Sequence, residues 1–142
     1  MFNPVFAAIA ILVTSSALAQ ELRPLDDLVE DAAPGYAPTR CAGLYQAVME
    51  WAGSERLGEE MWNQTDTSRE TLMLFAVRIN QSQSGGTVLE QTELVVRDVR
   101  NIADIYLERF ESNYARDGQA FGSDAVVASD LSSCSELASS IR

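Results

Sequence analysis

Histidine and lysine are both absent from this chain, and its 142 residues include only two cysteines. Histidine is the commonest general base and the commonest metal ligand in proteins. Its absence excludes serine triads, histidine-ligated zinc, c-type haem attachment and the Glu-x-x-His di-iron bundle. Because catalysis would have to use carboxylates, tyrosine, arginine, hydroxyls or a thiol, we expect a non-enzymatic protein without a metal or cofactor.

Positive charge is also scarce. Ten arginines accompany 21 acidic residues, so the formal net charge is −11. Such a surface repels nucleic-acid phosphates and anionic lipid headgroups, whereas it attracts a basic protein. The composition therefore predicts a protein partner of basic character, no nucleic acid, and no membrane association once the leader described next is removed.

A signal peptide is predicted over residues 1–19. The apolar run from Val5 to Val13 is short for a permanent span, and Ala17-Leu18-Ala19 provides the small-x-small pattern of a cleavage site. The alternative is an uncleaved anchor over residues 2–19, which would make this a structural envelope protein. We favour cleavage, and hence a periplasmic or secreted protein.

Residues 20–38 are predicted to form a mobile acidic arm. Prolines at 24, 34 and 38 forbid a continuous helix, and five acids repel one another there, so we expect one short turn at residues 25–29. The acids could attract Ca²⁺, but they lack the spacing of an EF-hand loop, which favours a solvated arm.

Residues 39–142 are predicted to form a helical domain with four segments. The first follows Pro38, is capped by Thr39, and ends or bends at Gly53-Ser54. The second begins with a capping box at Thr67-x-x-Glu70 and ends near residue 80. Its apolar run, residues 72–77, fits a buried strand as well as a helix, and its Leu, Met and Ala content favours helix.

The third segment has the clearest periodicity, from Thr87 to about Arg116. An apolar stripe lies opposite a charged one, and Glu93–Arg97 and Arg100–Asp104 are spaced as i,i+4 ion pairs. The apolar stripe consists of Val88, Val95, Val99, Ile102, Tyr106 and Phe110. The fourth segment is predicted to begin at a cap on Ser123 and to extend to residue 141.

The two cysteines lie on the apolar stripes of the first and last segments. In an oxidising compartment, Cys41 and Cys134 are expected to form a disulfide. Short turns between consecutive helices predict an all-α, up-down-up-down four-helix bundle, which places the first and last helices side by side. The bond would close a loop of about 94 residues and contribute roughly 4–5 kcal/mol.

Three neighbouring residues are the candidates for a functional surface. Trp62 is the large aromatic side chain most expected to be partly exposed, and tryptophan is enriched at binding hot spots. The alternative is that Trp62 closes one end of the bundle. Glu59 and Glu60 lie beside it, and a carboxyl group against an indole could act as a general acid. A hydrolase of the cell envelope is therefore the enzymatic alternative, although it would need a second carboxylate across a cleft.

Three methionines, at positions 49, 61 and 73, could suggest Cu(I), but their wide spacing and apolar context favour core packing.

The run Arg40-Cys41-Ala42-Gly43-Leu44-Tyr45, together with Asp130-Leu131-x-x-Cys134-x-x-Leu137, resembles uncharacterised small secreted helical proteins of Gram-negative bacteria. The resemblance implies a helical domain with a cysteine pair joining its first and last helices. We hypothesise a helical module that binds another protein, of the inhibitor, immunity-protein or stress-chaperone type.

Overall fold

A computed structural model describes residues 22–28 and 32–141. The described chain contains a 3-10 turn, Leu25–Leu28, followed by α1 (Tyr36–Leu57), α2 (Glu59–Ser84), α3 (Val88–Asp117) and α4 (Ala125–Ser140). The predicted all-α fold with four helices is confirmed. The predicted signal peptide lies outside the described residues. Within them, no helix is both long and apolar enough to cross a membrane.

Two glycines decide where the first two helices meet. Gly53 has φ 69° and interrupts the helical backbone inside α1, so the predicted bend occurs. Gly58 has φ 75° and precedes the first residue of α2. Both dihedrals lie in the left-handed region, which costs glycine little and other residues much more. The chain therefore leaves α1 and starts α2 within a few residues.

The predicted beginning of α2 at Thr67 is wrong. The helix begins eight positions earlier, and Thr67 lies inside it, where its carbonyl accepts a hydrogen bond from the Thr71 hydroxyl at 2.8 Å. A capping box needs free main-chain N–H groups, and here the upstream turns already use them. The helix also continues past Asn80 to Ser84, because Gly85 is the first residue with a positive φ. The segment from Leu72 to Val77 is helical, as preferred.

The predictions for α3 and α4 come closest to the structure. A capping box at Thr87 and Glu90 starts α3, and most of its predicted apolar stripe is buried. Val88 is the exception, since it is exposed in the first turn. The two predicted i,i+4 ion pairs are not formed: Arg97 pairs with its neighbour Asp98, and Arg100 reaches Glu50 on α1. Asp124, rather than Ser123, caps α4.

The core lies where α1 packs against α2 and α3. Gly43 is the point of close approach, because a Cβ there would lie 2.6 Å from the Ile102 Cγ2 atom. On the other side of α1, Cys41 and Cys134 form the predicted disulfide, with a Cα–Cα distance of 5.2 Å. Trp51 packs edge-on against Phe110 near the far end of the core. The buried apolar side chains of the described residues are Leu25, Cys41, Ala42, Leu44, Ala47, Met49, Leu72, Ala76, Val77, Val95, Val99, Ala103, Tyr106, Phe110, Ala120, Val127, Cys134 and Ala138.

The acidic arm differs from its prediction in the part that the structure describes. Its short turn spans Leu25–Leu28, and the Leu25 side chain is buried in the core. The end of the assigned arm, residues 36–38, belongs to α1. The acids and prolines dominate the sequence pattern of this stretch, whereas its apolar residues Leu22 and Leu25 contact the core. Residues 29–31, which carry two of its acids, lie outside the described chain.

Candidate binding groove

Trp62 lines an open groove between three helices. Because α2 begins directly after Gly58, its first turns lie beside α1, and the half-buried indole of Trp62 borders a cavity of about 500 Å³. We call this cavity the Trp62 groove. Its lining residues are Gln46, Met49 and Glu50 from α1, Trp62, Asp66, Arg69 and Met73 from α2, and Val96, Val99 and Arg100 from α3.

The middle of the Trp62 groove is apolar. Met49 and Val99 are buried at its base, Met73 is half-buried, and Val96 is 48% exposed. Methionine adapts its shape to different apolar groups, and tryptophan presents a large rigid surface at little entropic cost. A neighbouring apolar side chain would therefore find complementary surface here.

The edges of the groove carry charges of both signs. Arg69 donates to the Asp66 carboxylate at 2.6 Å, one turn away on α2. Across the groove, Arg100 of α3 approaches Glu50 of α1 at 3.4 Å. Both residues of this second pair are substantially exposed, 60% for Arg100 and 38% for Glu50. Exposed pairs of this kind contribute about 0–1 kcal/mol, so a partner's charge can exchange with them at little cost.

Only one of the three candidate residues lies in the groove. Trp62 does, whereas Glu59 and Glu60 are exposed in the first turn of α2 and are not among the lining residues. The carboxylates that line the groove are Glu50 and Asp66, and each is paired with an arginine. The placement of Glu59 and Glu60 therefore provides no pair of carboxylates facing each other across a cleft.

Two of the three methionines considered for Cu(I) pack against apolar side chains, as predicted, whereas the third is exposed. Met49 and Met73 contribute to the groove, and Met61 is exposed on α2. The Met73 sulfur accepts a hydrogen bond from Arg69 Nη1 at 3.3 Å. Across residues 22–28 and 32–141, no three Asp, Glu or Cys side chains are grouped so as to hold a metal ion.

A second charged cluster lies on the opposite side of α1, in the core. The side chains of Arg40 and Asp130 are fully buried, with Arg40 Nη2 2.5 Å from Asp130 Oδ2. Tyr106 joins them, because its hydroxyl donates to Asp130 and accepts from Arg40 Nε at 2.9 Å. Arg40, Tyr106 and Asp130 form what we call the buried cluster, and it connects α1, α3 and α4.

The buried cluster is electrostatically self-consistent. Burial alone would lower the pKa of Arg40, but the adjacent Tyr106 and Asp130 outweigh it and raise that pKa above its ordinary value. Burial and the neighbouring Asp130 charge raise the pKa of Tyr106, despite the opposing effect of Arg40. Tyr106 therefore keeps its proton and remains a donor to Asp130 near neutral pH. No buried side-chain nitrogen or oxygen in the described residues lacks a partner.

A larger open cleft, of about 670 Å³, lies beside the start of α4. Asp124 in this cleft caps the helix, because it accepts hydrogen bonds from the N–H groups of Val126 and Val127. Arg109 donates to the same carboxylate at 2.5 Å and Asn113 at 2.8 Å. Burial opposes ionisation of Asp124, yet these hydrogen bonds lower its pKa to about 2. Because Asp124 and Arg109 already bind each other and the start of α4, we assign this pair a structural role.

No sequence pattern pointed to a groove lined by Glu50, Asp66, Arg69 and Arg100, since ordinary charged residues on helices give no signal for a space between them. The role of the buried cluster was not predicted either. A signal was present, because Asp130 interrupts the apolar stripe of α4 one turn before Cys134, and Arg40 directly precedes Cys41. A charged residue on an apolar stripe needs a buried partner of opposite sign.

Comparisons with protein-family models, curated proteins and solved structures give no significant match. The function is therefore inferred from the geometry of the chain.

Proposed function

We propose that this protein is a non-enzymatic helical module of the periplasm that binds a basic protein, and that the Trp62 groove is its binding surface. The observation that carries the proposal is a half-buried tryptophan that lines an open groove together with apolar side chains, of which Val96 is 48% exposed. A core of aromatic and methionine side chains surrounded by polar residues is the usual composition of a protein-binding surface.

Charge favours a basic partner. The chain carries a net charge of −11, and Glu59, Glu60 and Glu70 lie exposed on the same helix as Trp62. These acids would speed the approach of a positively charged surface, and the groove would then receive its apolar residues. An amphipathic helix with basic residues on its outer face has both features, and helix-in-groove binding is a common mode of recognition.

The compartment is part of the proposal. A disulfide between Cys41 and Cys134 suits an oxidising environment, and the leader expected at residues 1–19 would deliver the chain there. A basic protein partner in the periplasm fits an inhibitor, an immunity protein or a stress chaperone.

The test uses a defined probe before any natural partner. A synthetic amphipathic helix with leucines on one face and lysines on the other is titrated into the disulfide-bonded protein at low and high salt. We expect binding that weakens with salt, and a loss of at least tenfold in affinity for the Trp62→Ala variant. The matched control is Leu74→Ala, which removes a 62% exposed apolar side chain of the same helix outside the groove.

Equal binding by wild type and Trp62→Ala would place the interaction elsewhere on the acidic surface and contradict the proposed site. Absence of binding at both salt concentrations would contradict the proposal for this class of partner. The same three proteins, immobilised and exposed to periplasmic extract, then identify a natural partner as one retained by wild type and Leu74→Ala but lost with Trp62→Ala.

A further inference from the structure

The segment before α1 is held by the buried cluster through its main chain. Arg40 Nη2 donates to the carbonyl oxygen of Arg23 at 2.5 Å, and the N–H of Leu25 donates to Asp130 Oδ1 at 2.7 Å. The two main-chain groups flank Pro24, which has no N–H to satisfy. Arg40 and Asp130 thus bind each other, and each also binds the main chain of residues 22–28. We call residues 22–28 the docked segment.

Leu25 is the most deeply buried side chain of the docked segment. Leu25 is only 3% exposed and belongs to the core. Arg23, Asp26 and Asp27 are exposed, and Asp26 accepts an exposed hydrogen bond from the Ser133 hydroxyl of α4 at 2.8 Å. Docking therefore depends mainly on Leu25, on the packing of Leu22 against the core, and on two hydrogen bonds to charged groups. None of these requires the particular side chains at positions 23, 26 and 27.

We propose that Arg40 and Asp130 form a peptide-binding site, which this chain fills with its own residues 23–25. The ligand class is a short peptide that offers a leucine, the N–H of that leucine, and a carbonyl two residues before it. Such a segment from another chain satisfies the same groups when the docked segment leaves. The site is distinct from the Trp62 groove and does not depend on the function proposed there.

An empty site is unfavourable, because Asp130 Oδ1 and Arg40 Nη2 would each lose a hydrogen-bond partner. The docked segment also competes strongly, since a short tether gives it an effective concentration in the millimolar range. A peptide from outside is therefore expected to bind only when the leucine anchor is weakened.

Hydrogen exchange on the full, disulfide-bonded chain tests whether the segment opens by itself. We expect the amide of Leu25 to exchange at least tenfold faster than core amides such as those of Leu44 and Leu72. In Leu25→Ala, exchange at position 25 should rise by at least about tenfold because a buried leucine is truncated, with core amides protected as before. Leu25→Val provides a milder variant should the first lower overall stability. Exchange at position 25 that matches the core in all three proteins would show that the segment opens only with the whole domain, and would overturn the proposal.

Binding from outside is tested with a synthetic peptide of residues 22–28, Leu-Arg-Pro-Leu-Asp-Asp-Leu. At millimolar concentration it should bind Leu25→Ala and Leu25→Val, shifting the NMR signal of the Arg40 Nε–H, and should bind wild type at least tenfold more weakly. A control peptide with alanine in place of its central leucine should not bind. If neither peptide binds the variants, or if both bind equally, the site does not read a leucine peptide and the inference is wrong. Trp62→Ala should leave peptide binding unchanged, which separates this result from the test of the Trp62 groove.

Discussion

The buried cluster and the edge of the Trp62 groove are built from the same chemistry on opposite sides of α1. Each pairs an arginine with a carboxylate on another helix, Arg40 with Asp130 and Arg100 with Glu50. The first pair is fully buried, with an N–O distance of 2.5 Å, and makes further hydrogen bonds to Tyr106 and to the main chain. The second pair is exposed, with an N–O distance of 3.4 Å. The two pairs therefore share a contact type but differ in burial and in their other hydrogen bonds. These two features determine how much each pair contributes to stability.

The energetic consequences differ accordingly. Removing one member of a buried pair leaves an uncompensated charge in a medium of low dielectric constant, which costs about 3–5 kcal/mol. Removing one member of an exposed pair costs about 0.2–1 kcal/mol, because water replaces the lost partner. We therefore divide the two pairs by their effect on stability, and expect the buried cluster to contribute much more to it than the groove edge does. The following predictions test this division.

The largest effect is expected from the disulfide, which lies directly beside the buried cluster. Replacing both cysteines by serine removes a link across 93 positions, and the free energy of unfolding should fall by about 4–5 kcal/mol. Circular dichroism of the folded variant should retain its helical signal, because the apolar stripes of the helices are unchanged. Urea denaturation measures the loss, with reduced wild type as the control. A loss below about 1 kcal/mol would mean that the buried cluster alone holds α4 in place.

Asp130→Asn tests the buried cluster directly. The amide keeps the shape of the side chain but leaves Arg40 without a counter-charge, so we expect the free energy of unfolding to fall by about 3–5 kcal/mol. Glu50→Gln is the matched change at the groove edge, and its effect should stay below about 1 kcal/mol. Denaturant unfolding of both variants gives the comparison in one experiment. Similar losses for the two would refute the division drawn above.

Acid stability should depend on Asp124, which is intermediate between the two pairs in burial. Its pKa is lowered to about 2 in the folded protein, and its pKa in the unfolded chain is about 3.9. The unfolded chain therefore takes up the proton first as pH falls. The stabilisation is complete above about pH 5 and is lost progressively down to about pH 2.

Asp124→Asn keeps an N-terminal cap on α4 and removes the charge. We expect it to lower stability by about 1–2 kcal/mol at neutral pH and to make the decrease between pH 5 and pH 2 shallower. Thermal unfolding measured at one-unit steps of pH checks this. An unchanged slope in the variant would assign the acid sensitivity to other carboxylates.

The sequence predicted the elements better than it predicted the contacts between them. The third helix was placed to within one residue at each end, because its apolar period is long and glycines border it. The start of α2 was misplaced because Thr67 and Glu70 form a capping motif that the helix does not use, whereas Gly58 ends α1 through its positive φ. The disulfide was predictable from two cysteines on apolar stripes. The groove was not, since it depends on how α1, α2 and α3 pack, and no local pattern encodes the space they leave.

The smallest change in stability is expected at Glu50, together with a salt-dependent change in binding. Glu50→Gln leaves its hydrogen bond from Gln46 available through the amide oxygen and removes one negative charge from the groove. Stability should change by less than about 1 kcal/mol, while affinity for the leucine–lysine helix should fall by about two- to fivefold at low salt and hardly at all at high salt. Arg100→Gln removes the opposite charge from the same pair, so it should strengthen binding at low salt. Isothermal titration at two salt concentrations measures both variants. If they change affinity in the same direction, the groove responds to the loss of the ion pair itself rather than to the sign of its charge, and a basic partner would no longer be the favoured one.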